Sequence, residues 1–397
     1  MSASPPEAAS AAQHVALPSP FRLHGGGVLV GAEVAVEAYG TLAAARDNAV
    51  LVFTGLSASA HAASHPGEVS PGWWEAMIGP GKALDTDRYY VIVVNSLGSC
   101  FGSTGPASID PATGRAYGTL FPELRVEDIA HASQAAVDHL GIEQLAAVIG
   151  ASLGGMTVLA HALLYPGRAR RLVSISGTLA ANAGAIATRS LQREILGTVL
   201  KESADPAAVA RAMRWARKIG VLSYIGGDLL EQRFARSQAD PYAGRASGTD
   251  FEVESWLEHQ AQKFVRQFDP WSYWYVSRAM DLFDVGSHAA SAGARHDQSR
   301  AAADRVRALE RLRVERALVV GVREDLLFPL GQQRAVAAAL RQSGTETEFV
   351  ELGSPYGHDA FLVERDMFTP VLADFLRNPA GTAPAPESPP ARNSLSR

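Results

Sequence analysis

The sequence predicts an α/β fold, with a mostly parallel central sheet and a helical lid inserted late in the chain. Three observations carry this. Short apolar runs punctuated by glycine recur, apolar on both faces as strands buried between two helical layers are. Helical patterns lie between those runs. One long stretch, 185–314, holds no such run and reads as helix.

Taken in order, residues 1–17 are mostly Ala, Ser and Pro and read as a disordered tail. The first part of the core spans 18–184. It offers strands at 49–54 (AVLVFT) and 89–94 (YYVIVV), a helix at 126–140 and a strand at 145–149 (LAAVI). A helix at 154–164 and a strand at 172–176 (LVSIS) follow. The lid, 185–314, carries Arg, Glu and aromatic residues at helical spacing, among them Trp215, Trp256, Trp271 and Trp274, which core packing explains most simply. The second part of the core, 315–377, adds strands at 317–322 (ALVVGV) and 346–352 (ETEFVEL) around a helix at 331–342. Residues 378–397 return to an Ala- and Pro-rich composition and read as a second disordered tail.

Composition narrows the function. Of 397 residues, 47% are hydrophobic and 19% charged, enough apolar material for a large core. The formal net charge is −5 and the basic residues are scattered, so neither nucleic acid nor an anionic membrane surface is an expected partner. No apolar run approaches the ~18 residues of a spanning helix. Residues 1–20 lack Lys, Arg and an apolar stretch, so no signal peptide is read and the protein is expected in the cytoplasm. The single cysteine, Cys100, excludes an internal disulfide.

The sharpest local signal is Gly150-Ala151-Ser152-Leu153-Gly154-Gly155, directly after a strand and directly before a helix. A Gly-x-Ser-x-Gly turn in that setting is a nucleophile elbow, which lifts the serine oxygen clear of the sheet and aims a helix N-terminus at it. A nucleophilic serine needs a base and a group to orient that base, in the chain order Ser, acid, His. Asp325 follows the strand at 317–322, with Glu324 beside it as the alternative acid, and His358 follows the last strand. Both stand at strand C-terminal ends, the edge where open α/β sheets bind ligands. His161, seven residues into the helix after the elbow, points away from the serine. An oxyanion hole is expected from the Leu153 amide and from a second amide after an early strand, for which Leu56 in Gly55-Leu56-Ser57-Ala58 is the choice.

Longer motifs carry a family resemblance. Asn95-Ser96-Leu97-Gly98-Ser99-Cys100-Phe101-Gly102-Ser103-Thr104-Gly105-Pro106, Gly72-Trp73-Trp74-Glu75, Gly79-Pro80-Gly81-Lys82 and Gly357-His358-Asp359-Ala360-Phe361-Leu362 join the elbow. Over about 17–376 the chain resembles the α/β-hydrolase-fold homoserine and serine O-acyltransferases. That resemblance implies Ser152 as nucleophile, Asp325 and His358 as its partners, and Leu56 and Leu153 as oxyanion amides. It also implies that Arg217, Tyr224 and Asp359 meet the amino acid. A zwitterion needs a cation for its carboxylate, although by its neighbours alone, Arg211, Arg214 and Lys218, Arg217 reads rather as part of a solvated helix face.

The segment Gly55, Leu56, Ser57, Ala58 resembles the serine O-succinyltransferases more than the His-Ala-Leu-Thr-Gly type of homoserine acetyltransferases, although the family commonly carries proline at the position of Ala58. Arg189, within 187–194, is similar to the serine succinyltransferase version. A guanidinium there would meet the distal carboxylate of a succinyl group, whose unpaired burial would be costly. An ordinary lid salt bridge is the other reading of Arg189.

The expected reaction is therefore succinyl transfer from succinyl-CoA, a co-substrate, to L-serine through an acyl-Ser152 intermediate, serving cysteine biosynthesis. No metal or redox cofactor is expected, and the resemblance implies a homodimer built through lid helices. The alternatives are acetyl or succinyl transfer to homoserine for methionine biosynthesis, an ester or thioester hydrolase, and a non-catalytic binding protein.

Overall fold

A computed structural model describes residues 12–68, 70–202, 205–238, 250–289 and 301–377. Eight strands form one sheet: β1 (Gln13–Ala16), β2 (Glu33–Tyr39), β3 (Ala49–Phe53), β4 (Tyr90–Val94), β5 (Leu145–Ala151), β6 (Ala169–Ile175), β7 (Arg316–Val322) and β8 (Glu346–Leu352). Their order is β1-β2-β4-β3-β5-β6-β7-β8. The pairs β1–β2 and β2–β4 are antiparallel, and every later pair is parallel.

Alternation along the central strands builds a core on each face. On β3, Leu51 and Phe53 join one cluster while Val50 and Val52 join the other. The first face is covered by α1 (Val126–His139), α2 (Leu153–Leu164) and α9 (Leu330–Gln342), through Ile129, Leu159, Val336 and Leu340. The second is covered by α10 (Arg365–Arg377), through Phe368, Leu372 and Phe375, and by Met77 and Ile78 from the segment between β3 and β4. All five residues of β3 are buried, which is why 49–54 reads as one unbroken apolar run.

Between β6 and β7 the chain leaves the sheet as α3 (Ala183–Glu202), α4 (Pro206–Tyr224), α5 (Gly227–Phe234), α6 (Glu252–Val265), α7 (Pro270–Leu282) and α8 (Ala301–Leu309). Two of these start with the same local chemistry. Asp205 and Asp269 accept hydrogen bonds from first-turn amides, and a proline follows each where no helical N–H is lost. The insertion has its own small core of Leu196, Met213, Ala216, Phe264, Phe268 and Tyr273.

Three expectations need correction. The reading of 1–17 as a tail fails at Gln13–Ala16, which pair with β2 as an edge strand; only Val15 is buried there, so one anchoring side chain left no periodic signal. The rest of that tail up to residue 11, and the tail at 378–397, lie outside the described residues. Strand β8 is only partly buried, because it is the other edge of the sheet. Trp215 is not a core residue: 56% of its surface is exposed on α4. Among the described residues no helix is long and apolar enough to cross a membrane.

Candidate active site

The turn between β5 and α2 brings Ser152 to the edge of the sheet with φ 59° and ψ −121°. A non-glycine residue rarely adopts positive φ, and here the surroundings enforce it. A Cβ on Gly150 would lie 2.3 Å from the Gly154 backbone, and one on Gly154 would lie 2.4 Å from the Phe53 carbonyl oxygen. The turn therefore closes only with glycine at both positions. The Ser152 amide donates to the Ile175 carbonyl at 3.0 Å, tying the elbow to β6.

His358 lies in the short turn Gly357–Asp359 after β8, and Asp325 follows β7. His358 Nε2 is 2.7 Å from Ser152 Oγ, and His358 Nδ1 is 2.8 Å from Asp325 Oδ2. All three side chains are buried. Asp325 is itself fixed. Its Oδ1 accepts from the amides of Leu327 and Phe328 at 3.0 and 2.8 Å, and Gln333 Nε2 on α9 donates to its Oδ2 at 3.4 Å. Glu324, the alternative acid, faces elsewhere and accepts from the Ser354 amide at 2.7 Å. Burial alone would depress the His358 pKa, but the Asp325 charge and hydrogen bond outweigh it and raise the pKa above the ordinary histidine value. The arrangement is a proton relay from a serine hydroxyl to an imidazole held in one orientation by a carboxylate.

A cavity of about 130 Å³ opens onto Ser152 and His358. Gly55, Leu56, Ser57 and Ala58, after β3, form one wall with Trp73. The insertion supplies another wall with Arg189, Gln192, Arg217, Tyr224 and Tyr273. Asp359 reaches the same space, its carboxyl raised in pKa by removal from water, with the charges of His358 and Arg217 acting in the opposite sense. Leu153, the other residue expected to offer an amide, opens α2 directly after Ser152 and is fully buried.

Two cations in this cavity stand out. Arg189 is 4% exposed, and its Nε donates to Asp281 on α7 at 2.6 Å. Both its Nη1 and Nη2 are buried without a hydrogen-bond partner among the described residues. The salt-bridge reading of Arg189 holds at Nε, which leaves the two outer nitrogens without a protein partner among the described residues. Arg217 is not a solvated helix-face residue. Its guanidinium stacks over Phe264 at 4.3 Å and Tyr224 at 5.2 Å, and its Nε is likewise buried and unpartnered among the described residues. Tyr224 also packs against the His358 ring at 6.1 Å between centroids.

His161 turns away from Ser152 as expected, bonding Gln134 at 2.7 Å, and full burial lowers its pKa to about 3. Sequence reasoning gave no site role to Gln333, Tyr273 and Asp281, which sit in no motif, nor to Trp73 and Gln192, although these lie within the motif 72–75 and the run 187–194. Asp281 meets Arg189 across 92 residues of chain. Among the described residues no group of three or more His, Cys, Asp or Glu side chains is arranged to hold a metal ion.

Comparison with known proteins follows the same lines. A family model described as the alpha/beta hydrolase fold matches residues 48–365. A serine O-succinyltransferase of Stenotrophomonas maltophilia (strain K279a) is 49% identical over 367 residues, covering 91% of this chain and 96% of that protein. An L-serine/homoserine O-acetyltransferase of Streptomyces lavendulae is 48% identical over 376 residues, covering 92% of this chain and 97% of that protein. Among solved structures, a homoserine O-acetyltransferase from Bacillus anthracis matches with a TM-score of 0.82 at 23% identity, over 94% of this chain and 99% of its own, a likeness of fold. Esterase E22 matches with a TM-score of 0.79 at 25% identity, over 92% of this chain and 100% of its own.

Proposed function

The chain belongs to the α/β-hydrolase-fold serine and homoserine O-acyltransferases, and from that premise we propose that it moves a succinyl group from succinyl-CoA to the hydroxyl of L-serine. The observation that carries this reading is the pair of arginines, Arg189 and Arg217, lining one cavity with Ser152, each with guanidinium nitrogen left without a hydrogen-bond partner among the described residues. Succinyl-CoA and L-serine each bring one carboxylate to the reacting end. Arg189, paired with Asp281 through Nε, keeps Nη1 and Nη2 without a hydrogen-bond partner among the described residues, and Arg217, stacked on two rings, keeps a buried Nε without one. A plain ester hydrolase has no use for two such groups.

The chemistry runs in two halves. His358, oriented by Asp325, takes the Ser152 proton as Oγ attacks the thioester carbonyl. The amides of Leu56 and Leu153 receive the developing oxyanion. The C–S bond breaks, CoA leaves as a thiol with the proton from His358, and succinyl stays on Ser152. L-Serine then enters with its carboxylate on Arg217, beside Tyr224, and its ammonium on Asp359. His358 takes its hydroxyl proton as that oxygen attacks the succinyl carbonyl, the bond from the carbonyl to Ser152 Oγ breaks, and His358 gives the same proton to the departing Oγ. The product, O-succinyl-L-serine, is an activated serine for cysteine biosynthesis.

The insertion walls the cavity so that the acyl-enzyme meets an amino acid rather than water. No cofactor beyond the co-substrate enters this scheme. The protein is read as a cytoplasmic homodimer joined through lid helices, supported by exposed Leu191, Trp215 and Leu222 on α3 and α4.

The test is CoA release and product mass with succinyl-CoA or acetyl-CoA, each paired with L-serine or L-homoserine. Turnover favouring succinyl-CoA and L-serine supports the reading. The similarity to an L-serine/homoserine O-acetyltransferase favours a second reading, acetyl transfer, which the acetyl-CoA arms would reveal. Sustained CoA release without any amino acid would make the protein a hydrolase.

A further inference from the structure

Arg189 does not stand alone in the insertion. Arg193 lies one helical turn further along α3 and faces the same neighbour. Its Nη2 is 2.6 Å from Asp281 Oδ2, while Arg189 Nε is 2.6 Å from Asp281 Oδ1. All three side chains are 10% exposed or less. Two guanidinium groups therefore share one carboxylate in a place nearly closed to water.

The charge balance has a consequence. Asp281 with Arg189 alone would be a neutral buried pair, with its field largely cancelled at the cavity. With Arg193 on the second oxygen, the group carries one surplus positive charge. Asp281 Oδ2 meets Arg193 as a charge contact without hydrogen-bond geometry, Arg189 Nη1 and Nη2 have no hydrogen-bond partner among the described residues, and Arg189 lines the cavity whereas Arg193 is not among its lining residues. A buried surplus charge calls for an anion, and a planar fork suits a carboxylate.

We propose that Arg193 is a positioning residue for acyl-donor choice: by occupying Asp281 Oδ2 from outside the cavity, it leaves Arg189 a fixed, positively charged fork that selects acyl chains ending in a carboxylate. This deepens the succinyl reading above and rests on it. Arg193 touches neither substrate. It acts through Asp281, which holds Arg189 by Nε and keeps the two outer nitrogens turned to the ligand.

The experiment compares wild type, Arg193→Met and Arg193→Lys with saturating L-serine, measuring kcat and KM for succinyl-CoA and for acetyl-CoA. Removing a nearby buried charge is expected to lower the succinyl-to-acetyl ratio of kcat/KM by about 10-fold in Arg193→Met, the loss carried by the KM for succinyl-CoA. Arg193→Lys keeps the charge and is expected to hold the ratio within about threefold of wild type. A purely structural role would lower both donors in parallel and leave the ratio unmoved, which overturns the proposal. A lysine variant that falls as far as the methionine variant also overturns it, because then charge is not what matters. The wild-type measurement separates the two levels: no preference for succinyl-CoA in wild type defeats the donor reading itself, whereas a wild-type preference that Arg193→Met leaves intact defeats only the role of Arg193.

Discussion

His358 is 4% exposed and still carries a raised pKa, because the Asp325 charge and hydrogen bond outweigh burial. The imidazole accepts the serine proton only when neutral. Activity is therefore lost as pH falls through the raised pKa, and the acid limb of the kcat/KM profile is expected above the ordinary value of about 6.5. Asp325→Asn removes the cause of the rise, so the limb should move to lower pH while kcat drops by about 10⁴-fold, the size seen when a triad loses its orienting carboxylate. A pH–rate series on both proteins checks this. Asp359→Asn separates the half-reactions. It is expected to raise the KM for L-serine about 10-fold or more, while intact-protein mass spectrometry still detects succinyl on Ser152 after mixing with succinyl-CoA. The relay residues were legible in the sequence because each follows a strand in a fixed order. Gln333, Asp281 and Arg193 were not, since each acts on a partner brought near only by folding, and a lone Gln or Arg on a helix carries no local signature.

At the scale of elements, the elbow is the least forgiving part of the chain. Gly150→Ala would push a methyl group into the Gly154 backbone at 2.3 Å, where no flexible side chain can yield. The expected cost is about 3 kcal/mol or more, above the usual range for overpacking because both sides of the contact are main chain. It should appear as a lowered Tm together with lost turnover. Gly331 on α9 is the opposite case: it is exposed, and a Cβ there would meet nothing within 4 Å. Gly331→Ala is expected to raise stability by about 0.5–1 kcal/mol in chemical denaturation, through helix propensity alone. Central strands such as β3 were legible because they are apolar on both faces. Strand β2 carries no such signal: its sequence, EVAVEAY, includes two glutamates and two alanines. Glu37 is nevertheless 3% exposed, and its Oε2 lies about hydrogen-bond distance from the Tyr39 hydroxyl, His61 and His65, at 2.8, 3.0 and 3.0 Å. A buried carboxylate becomes acceptable through partners that no local window contains.

Across the whole molecule, the reacting groups hang from strand ends of the sheet, while Arg189 and Arg217 hang from helices of the insertion. On α4, Trp215 and Leu222 are 56% and 49% exposed and stand two turns apart on one face. The proposed homodimer predicts that the wild type sediments as a dimer and Trp215→Asp as a monomer, with the far-ultraviolet circular dichroism unchanged. The broad plan of sheet, insertion and sheet was readable because a long stretch without strand runs interrupts an alternating pattern. The separation also has a meaning for descent. In the proposed scheme, bond-making rests on Leu56 and on 145–175 and 316–358, whereas the arginines that would choose the acyl donor and the amino acid lie within 183–282. On that scheme, a lineage could revise which acyl donor it accepts by changing the interposed helices, with the nucleophile and its relay left untouched.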